Sequence, residues 1–210
     1  NVELAYSIPE IHHRIKQCEQ ARLNRPREAT RKLSNVPWRF GEVRHKETGA
    51  IIIPRVSSER RKYYPIGYLP KEYIITDRAF VIYDASLLIL GLISSNIHMV
   101  WMKAVAGRLK MDYNYSSTLC YNTFPFPKIS EEQKKAIEVA AEEVLLVRAE
   151  YPEKTLAELY DPEKMPQNLR DAHHELDMTV ESCYRKEPFT SDEERLEHLF
   201  KLYEKMTKKK

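Results

Sequence analysis

Between Gly107 and Pro127 the chain reads GRLKMDYNYSSTLCYNTFPFP, and an ammonium, a carboxylate and a carboxamide fall there at alternate positions, Lys110, Asp112 and Asn114. Taken as an extended segment, the alternation sets these three on one face and Leu109, Met111, Tyr113 and Tyr115 on the other. A donor, an acceptor and a group that is both make up the set needed to read the hydrogen-bonding edges of base pairs. Upstream, the stretch around SSERRK concentrates Arg55, Ser57, Ser58, Arg60, Arg61 and Lys62 on an expected loop. Guanidinium, ammonium and hydroxyl groups in one loop suit contacts to the phosphate backbone of a nucleic acid, although a solvated charged turn would carry the same residues. Lys103 and Arg108, at the end of an apolar stretch, extend the positive charge toward Lys110.

The elements that must position these groups follow from periodicity. Ile8 to Asn24 has apolar residues at helical spacing and leads into a basic, proline-interrupted linker, RPREATRKL. From Trp38 the pattern turns to short runs with β character, WRFGEV, AIIIPRV, YYPIGYL and EYIITDRAFVIY, punctuated by glycine and proline, which predicts a small mixed sheet with tight turns. Asp84 to Ala106 reads as a buried helix with a break between Gly91 and Asn96, which makes His98 and Trp101 core residues rather than catalysts. Beyond Pro127, helical patterns run over Ser130 to Glu150, Thr155 to Tyr160, Pro166 to Tyr184 and Ser191 to Met206, with cap signals at Ser130 and at Thr190 or Ser191. Lys208 to Lys210 close the chain as a frayed basic end.

Charge and composition change together near Pro127. Residues 1–127 hold 19 Lys+Arg against 11 Asp+Glu, a balance of +8, and residues 128–210 hold 15 against 20, a balance of −5. All five glycines lie at or before Gly107. These shifts predict an α+β domain over residues 1–127 and an all-α helical domain over 128–210, each with its own partners. The longest apolar run, Ala85 to Ile93, falls short of the roughly 20 residues of a membrane helix, so we expect an intracellular protein without a membrane partner. The start at Asn1, within a polar helical pattern, suggests an excerpt of a longer polypeptide. Cys18, Cys120 and Cys183 are widely spaced thiols without a CxxC pattern, and HHELD at 173–177 lacks the spacing of a helical zinc site. No GxGxxG, GxxxxGK[ST], GxSxG or HExxH occurs. The residues alone leave three classes open: a nucleic-acid-binding module, a protein-docking module with amphipathic helices and no direct base contacts, and an enzyme without a recognised motif.

The series PWRFGE, IIIPRVSSERRKYYPIGYL, SSNIHMVWMKAVAGRLKMDYNYS, CYNTFPFP, TLAELYDPEKMPQNLRDAHHELD and ERLEHLFKLYEKM resembles, in that order, the C-terminal portion of the MmeI-type (type IIG/IIL) restriction–modification enzymes. The resemblance implies a DNA target recognition domain over 1–127, a C-terminal helical domain over 128–210 and a cytoplasmic protein. It implies double-stranded DNA as partner, together with an upstream methyltransferase domain of the same polypeptide. That parent domain would be an adenine-N6 methyltransferase using S-adenosylmethionine, beside an endonuclease domain. This segment would hold no cofactor, since the family's NPPY-type motif, cofactor glycines and nuclease residues are absent from it. Lys110 and Asp112 fall at the family's specificity pair for the base after the methylated adenine, where a Lys/Asp combination goes with G. Asn114 aligns with another specificity position, and Asp77 and Arg78 lie in a segment used near the bases.

Overall fold

The computed structural model describes residues 1–208, which fall into two compact units, Asn1–His45 and Lys46 onward. Of the basic end at Lys208 to Lys210, Lys209 and Lys210 lie outside the described residues.

The first unit consists of helices α1 (Val2–Ser7), α2 (Pro9–Leu23) and α3 (Glu28–Lys32), followed by a 3₁₀ turn at Leu33–Asn35. Pro9 at the first position of α2 suits a site whose N–H needs no partner. The expected linker after α2 therefore carries a short helix of its own. The run WRFGEV is not a strand. The Arg22 guanidinium takes the carbonyls of Leu33 and Val36, both at 2.9 Å, and of Arg39 at 2.6 Å, so this stretch satisfies its backbone on a side chain instead of a ladder.

In the second unit the β segments form two small antiparallel sheets rather than one. Strands β1 (Ala50–Pro54), β3 (Gly67–Leu69) and β4 (Ala79–Tyr83) make a sheet in the order β3-β1-β4, with Ile51 and Ile53 of the central strand buried. Strands β2 (Val56–Ser57), β5 (Gly107–Leu109) and β6 (Asp112–Asn114) make another in the order β2-β6-β5. Arg55 is the single residue between β1 and β2, and it ties the two sheets together. Its N–H donates to the Arg78 carbonyl at 3.0 Å, and its carbonyl accepts from the Tyr115 N–H at 2.7 Å.

Behind the sheets lie α4 (Leu87–Ser94) and α5 (Asn96–Val105), bent by 61° at an extended Ser95. Among the described residues no single helix is long and apolar enough to cross a membrane. His98 and Trp101 are buried, as expected of core positions. Helices α6 (Glu131–Ala149), α7 (Leu156–Leu159), α8 (Gln167–Ser182) and α9 (Asp192–Thr207) form the all-helical C-terminal region, giving an α+β fold. Ser130 closes a full capping box with Gln133, and Ser191 caps α9 by accepting from the Glu194 N–H. Gly91 lets α4 press against α6, because a Cβ there would stand 2.6 Å from Cγ2 of Ile137.

The helices share one core with the rest of the unit. Tyr63, Leu92, Trp101 and Phe124 pack with Ile137, Leu169, Leu176 and Leu199 in a single cluster. A polar layer runs through this packing. Tyr63 donates to Asp177 Oδ2 at 2.7 Å and the Asn96 N–H donates to Asp177 Oδ1 at 2.6 Å. Arg148 donates to the Ile66 carbonyl at 2.8 Å and to the Tyr160 hydroxyl, which lies 2.6 Å from His173 Nε2. Buried polar groups demand such partners, so these contacts specify how the helices seat on the β segments.

Candidate functional site

Of the residues singled out by their chemistry, Arg108, Lys110, Asp112 and Asn114 and the Arg55–Lys62 segment lie on or beside the β2-β6-β5 sheet and Lys103 does not, and Gly107 to Pro127 is not one extended segment. It folds back as a hairpin, with Gly107 paired to Asn114, Arg108 to Tyr113 and Leu109 to Asp112, and Lys110 and Met111 form the turn. Lys110 has a left-handed backbone, φ 58°, as the first position of a tight hairpin turn requires. Farther on, Ser117–Tyr121 is a π-helical turn, begun by Ser116, whose Oγ accepts from the Leu119 N–H.

The hairpin redistributes the faces expected from alternation. Tyr113 and Tyr115 are buried, whereas Leu109 and Met111 are exposed, Met111 to 67%. An apolar pair at a turn tip has no core to enter, which is why the expected apolar face breaks at the turn. Asp112 and Asn114 still share a face of β6, because they stand two positions apart along one strand. Lys110 stands at the tip, exposed, with no ion pair to Asp112 among the described residues. The site is therefore a projecting ribbon: a cation at its end, an acid and an amide along one side.

Behind the ribbon, Tyr115 anchors the strand. Its hydroxyl meets His98 Nε2 at 3.1 Å, and burial holds His98 down at about 3, a neutral imidazole. Burial likewise pushes the Tyr115 and Tyr64 phenols up.

The basic residues divide into those that remain available and those already engaged. Arg55 is exposed and stacks on Phe80, its guanidinium carbon 5.0 Å from the ring centroid. Lys62 is exposed above Tyr63. Arg60 is exposed and pairs with Glu163 at 2.5 Å. Ser57, by contrast, is 3% exposed, and its Oγ accepts from Arg61 Nη1 at 3.1 Å, so its hydroxyl is spent inside the protein. Arg61 also donates to the Ala157 carbonyl at 3.3 Å and so docks the loop on α7. Ser58 Oγ accepts from the Arg60 N–H within the loop. Lys103 faces Asp192 of α9 at 4.0 Å instead of the ribbon. Arg108 lies over the Tyr113 ring at 3.9 Å and donates to the Met111 carbonyl at 2.8 Å and to Glu59 at 3.1 Å.

Sequence reasoning missed Glu59, Met111 and Tyr113 as parts of this assembly. Lys-Met is not a turn dipeptide, and neither glycine nor asparagine marks the left-handed position. The Arg78 carbonyl that meets the Arg55 N–H puts the Asp77–Arg78 segment beside the start of β2, which pairs with Asn114 through Val56.

Two small antiparallel sheets seated on a helical layer, with a polar hairpin at the edge of one of them, run on into an all-helical C-terminal region. The chain belongs to the MmeI family of restriction–modification enzymes: the family model for the MmeI target recognition domain matches residues 1–128, and that for the MmeI C-terminal domain matches residues 129–209. It is 47% identical over 203 residues to DNA methyltransferase A of Bacillus subtilis (strain 168), covering 97% of this chain and 23% of that protein. It also superimposes with a TM-score of 0.92 and 38% identity on a solved structure of the type IIL restriction–modification enzyme MmeI in complex with DNA, covering 99% of this chain and 28% of that one. The chain thus spans less than a third of the length of either relative.

Proposed function

We propose that this chain is the part of an MmeI-family polypeptide that recognises double-stranded DNA by its sequence, reading base edges in the major groove and so directing catalysis by upstream domains. The observation that carries this reading is the ribbon with Lys110 at its tip and Asp112 and Asn114 along one face, within a chain of this family. A major groove about 12 Å wide admits a two-stranded ribbon. A lysine ammonium donates to O6 or N7 of guanine while an aspartate accepts from N4 of the paired cytosine, so Lys110 and Asp112 together address both halves of one G·C pair. Asn114 adds a group able to pair with adenine N6 and N7. Arg55, Arg60 and Lys62, all exposed and within eight residues of sequence, supply cations for phosphates.

The chemistry directed in this way is adenine-N6 methylation by the parent's methyltransferase domain with S-adenosylmethionine, on an adenine turned out of the stack. A protein-docking module would be favoured by Lys110 buried against Asp112; the exposed Lys110 speaks for the DNA reading instead. The test is a charge swap, Lys110→Glu with Asp112→Arg, in the full-length enzyme, followed by sequencing of the methylated sites. The expected result is one base of the site changed from G to C.

A further inference from the structure

We infer that Arg108 is a positioning residue for base reading, not a phosphate contact: with Glu59 and Tyr113 it clamps the Lys110–Met111 turn in the shape that presents Lys110 and Asp112. This rests on the DNA-reading proposal above and goes beyond it in assigning what holds the reading element.

In the sheet order β2-β6-β5, Ser57, Tyr113 and Arg108 are cross-strand partners in one row. From β5, the Arg108 side chain lies across the ring of Tyr113 on β6 and ends on Glu59, two residues past the Ser57 end of β2. It thus stitches all three strands. Its Nη1 also holds the Met111 carbonyl at 2.8 Å, within the turn itself.

That carbonyl matters because the turn is held in a sparsely populated conformation. Lys110 adopts φ 58°, and a non-glycine residue stays there only when its surroundings over-determine it. Elsewhere in such turns glycine or asparagine removes the strain. Here the turn has neither, and the external hold comes from Arg108. A planar guanidinium can stack on a ring while its in-plane N–H groups donate at its edge, a geometry that a compact ammonium does not reproduce. Exposed ion pairs are weak by themselves, and Arg108 and Glu59 are 45% and 35% exposed. The hold comes from three simultaneous contacts, not from the pair alone. Both bonds leave from Nη1, and the Glu59 carboxylate beside it is an anion that opposes a phosphate at the same guanidinium.

The test uses the full-length polypeptide with Arg108→Ala, Arg108→Lys and Glu59→Gln, and three readouts. The first is amide hydrogen exchange of the peptide spanning 107–114 without DNA. The second is the ratio of affinities for the methylation site and for duplexes altered at the base pair assigned to Lys110 and Asp112. The third is the slope of log affinity against log salt. The clamp predicts faster exchange in all three variants, a discrimination ratio reduced by about fivefold or more, and an unchanged salt slope. A phosphate contact predicts the reverse: Arg108→Ala lowers the slope by about 0.9 with the ratio intact, Arg108→Lys behaves as wild type, and Glu59→Gln binds all sequences more tightly. That pattern would overturn the inference. Unchanged exchange in all three variants would overturn the clamp whatever Lys110 and Asp112 read, and faster exchange with an unchanged ratio would reduce Arg108 to a structural role. If exchange accelerates but the Lys110→Glu, Asp112→Arg swap leaves the preferred base unaltered, base reading is what fails, and the role given to Arg108 falls with it.

Discussion

The hydroxyl of Tyr63, just before β3, donates to Asp177 Oδ2 of α8 at 2.7 Å across 114 residues of sequence. This bond and the Asn96 N–H bond favour the carboxylate, but burial outweighs them and pushes Asp177 up to about 6. The folded state therefore holds a proton on Asp177 at pH values where the unfolded chain has released it. The contribution of Asp177 to stability is fully present below about pH 4 and is lost as pH rises through about 6. Relative to Asp177→Asn, the wild type should gain up to roughly 2 to 3 kcal/mol between pH 7.5 and pH 4. Urea unfolding of both proteins at the two pH values measures this difference, and an equal difference at both would show that Asp177 titrates like an exposed acid.

The neighbouring arginines of the basic loop should behave differently. Arg61 is committed to Ser57 and the Ala157 carbonyl, so Arg61→Ala should destabilise the fold by about 1 to 3 kcal/mol. Arg60 reaches only the exposed Glu163, and Arg60→Ala should cost less than about 1 kcal/mol. If Arg60 meets a phosphate, the same change should weaken binding to every sequence alike and lower the salt slope by about 0.9. Unfolding curves and salt titrations of both variants separate the two residues.

Lys110→Gly separates the fold of the ribbon from its reading. Glycine adopts positive φ without the penalty of a Cβ, so the variant should be as stable as the wild type or more so, by up to about 1 kcal/mol. It should nonetheless lose preference at the base pair assigned to Lys110. A joint loss of stability and preference would instead mark Lys110 as a structural residue.

These contrasts show what residue patterns could and could not convey. The C-terminal helices were readable because their signals are local: Ser130 with Gln133, Ser191 with Glu194, and stripes such as Ile137, Ala141 and Val144. The break in the apolar helical stretch was readable at Gly91 to Asn96, and it falls at Ser95. The division into two sheets was not, because a single residue, Arg55, separates β1 from β2 and alternation runs straight through it. The ribbon was hidden for a related reason. Leu109 and Asp112 are cross-strand partners, but Lys-Met between them lacks turn chemistry, so period-two spacing looked like one strand. The polar types at 110, 112 and 114 were visible; their placement at a tip and along a side was set by tertiary contacts from Arg55, Glu59 and His98, none of them local.

The most direct test of the account is the charge swap at the ribbon, Lys110→Glu with Asp112→Arg, in the full-length enzyme, with the methylated sites read by sequencing. The expected result is a methylated site that differs at one base, C in place of G, with discrimination on the order of 1 to 3 kcal/mol at that pair. An unchanged site methylated with merely lower activity would contradict base reading by Lys110 and Asp112.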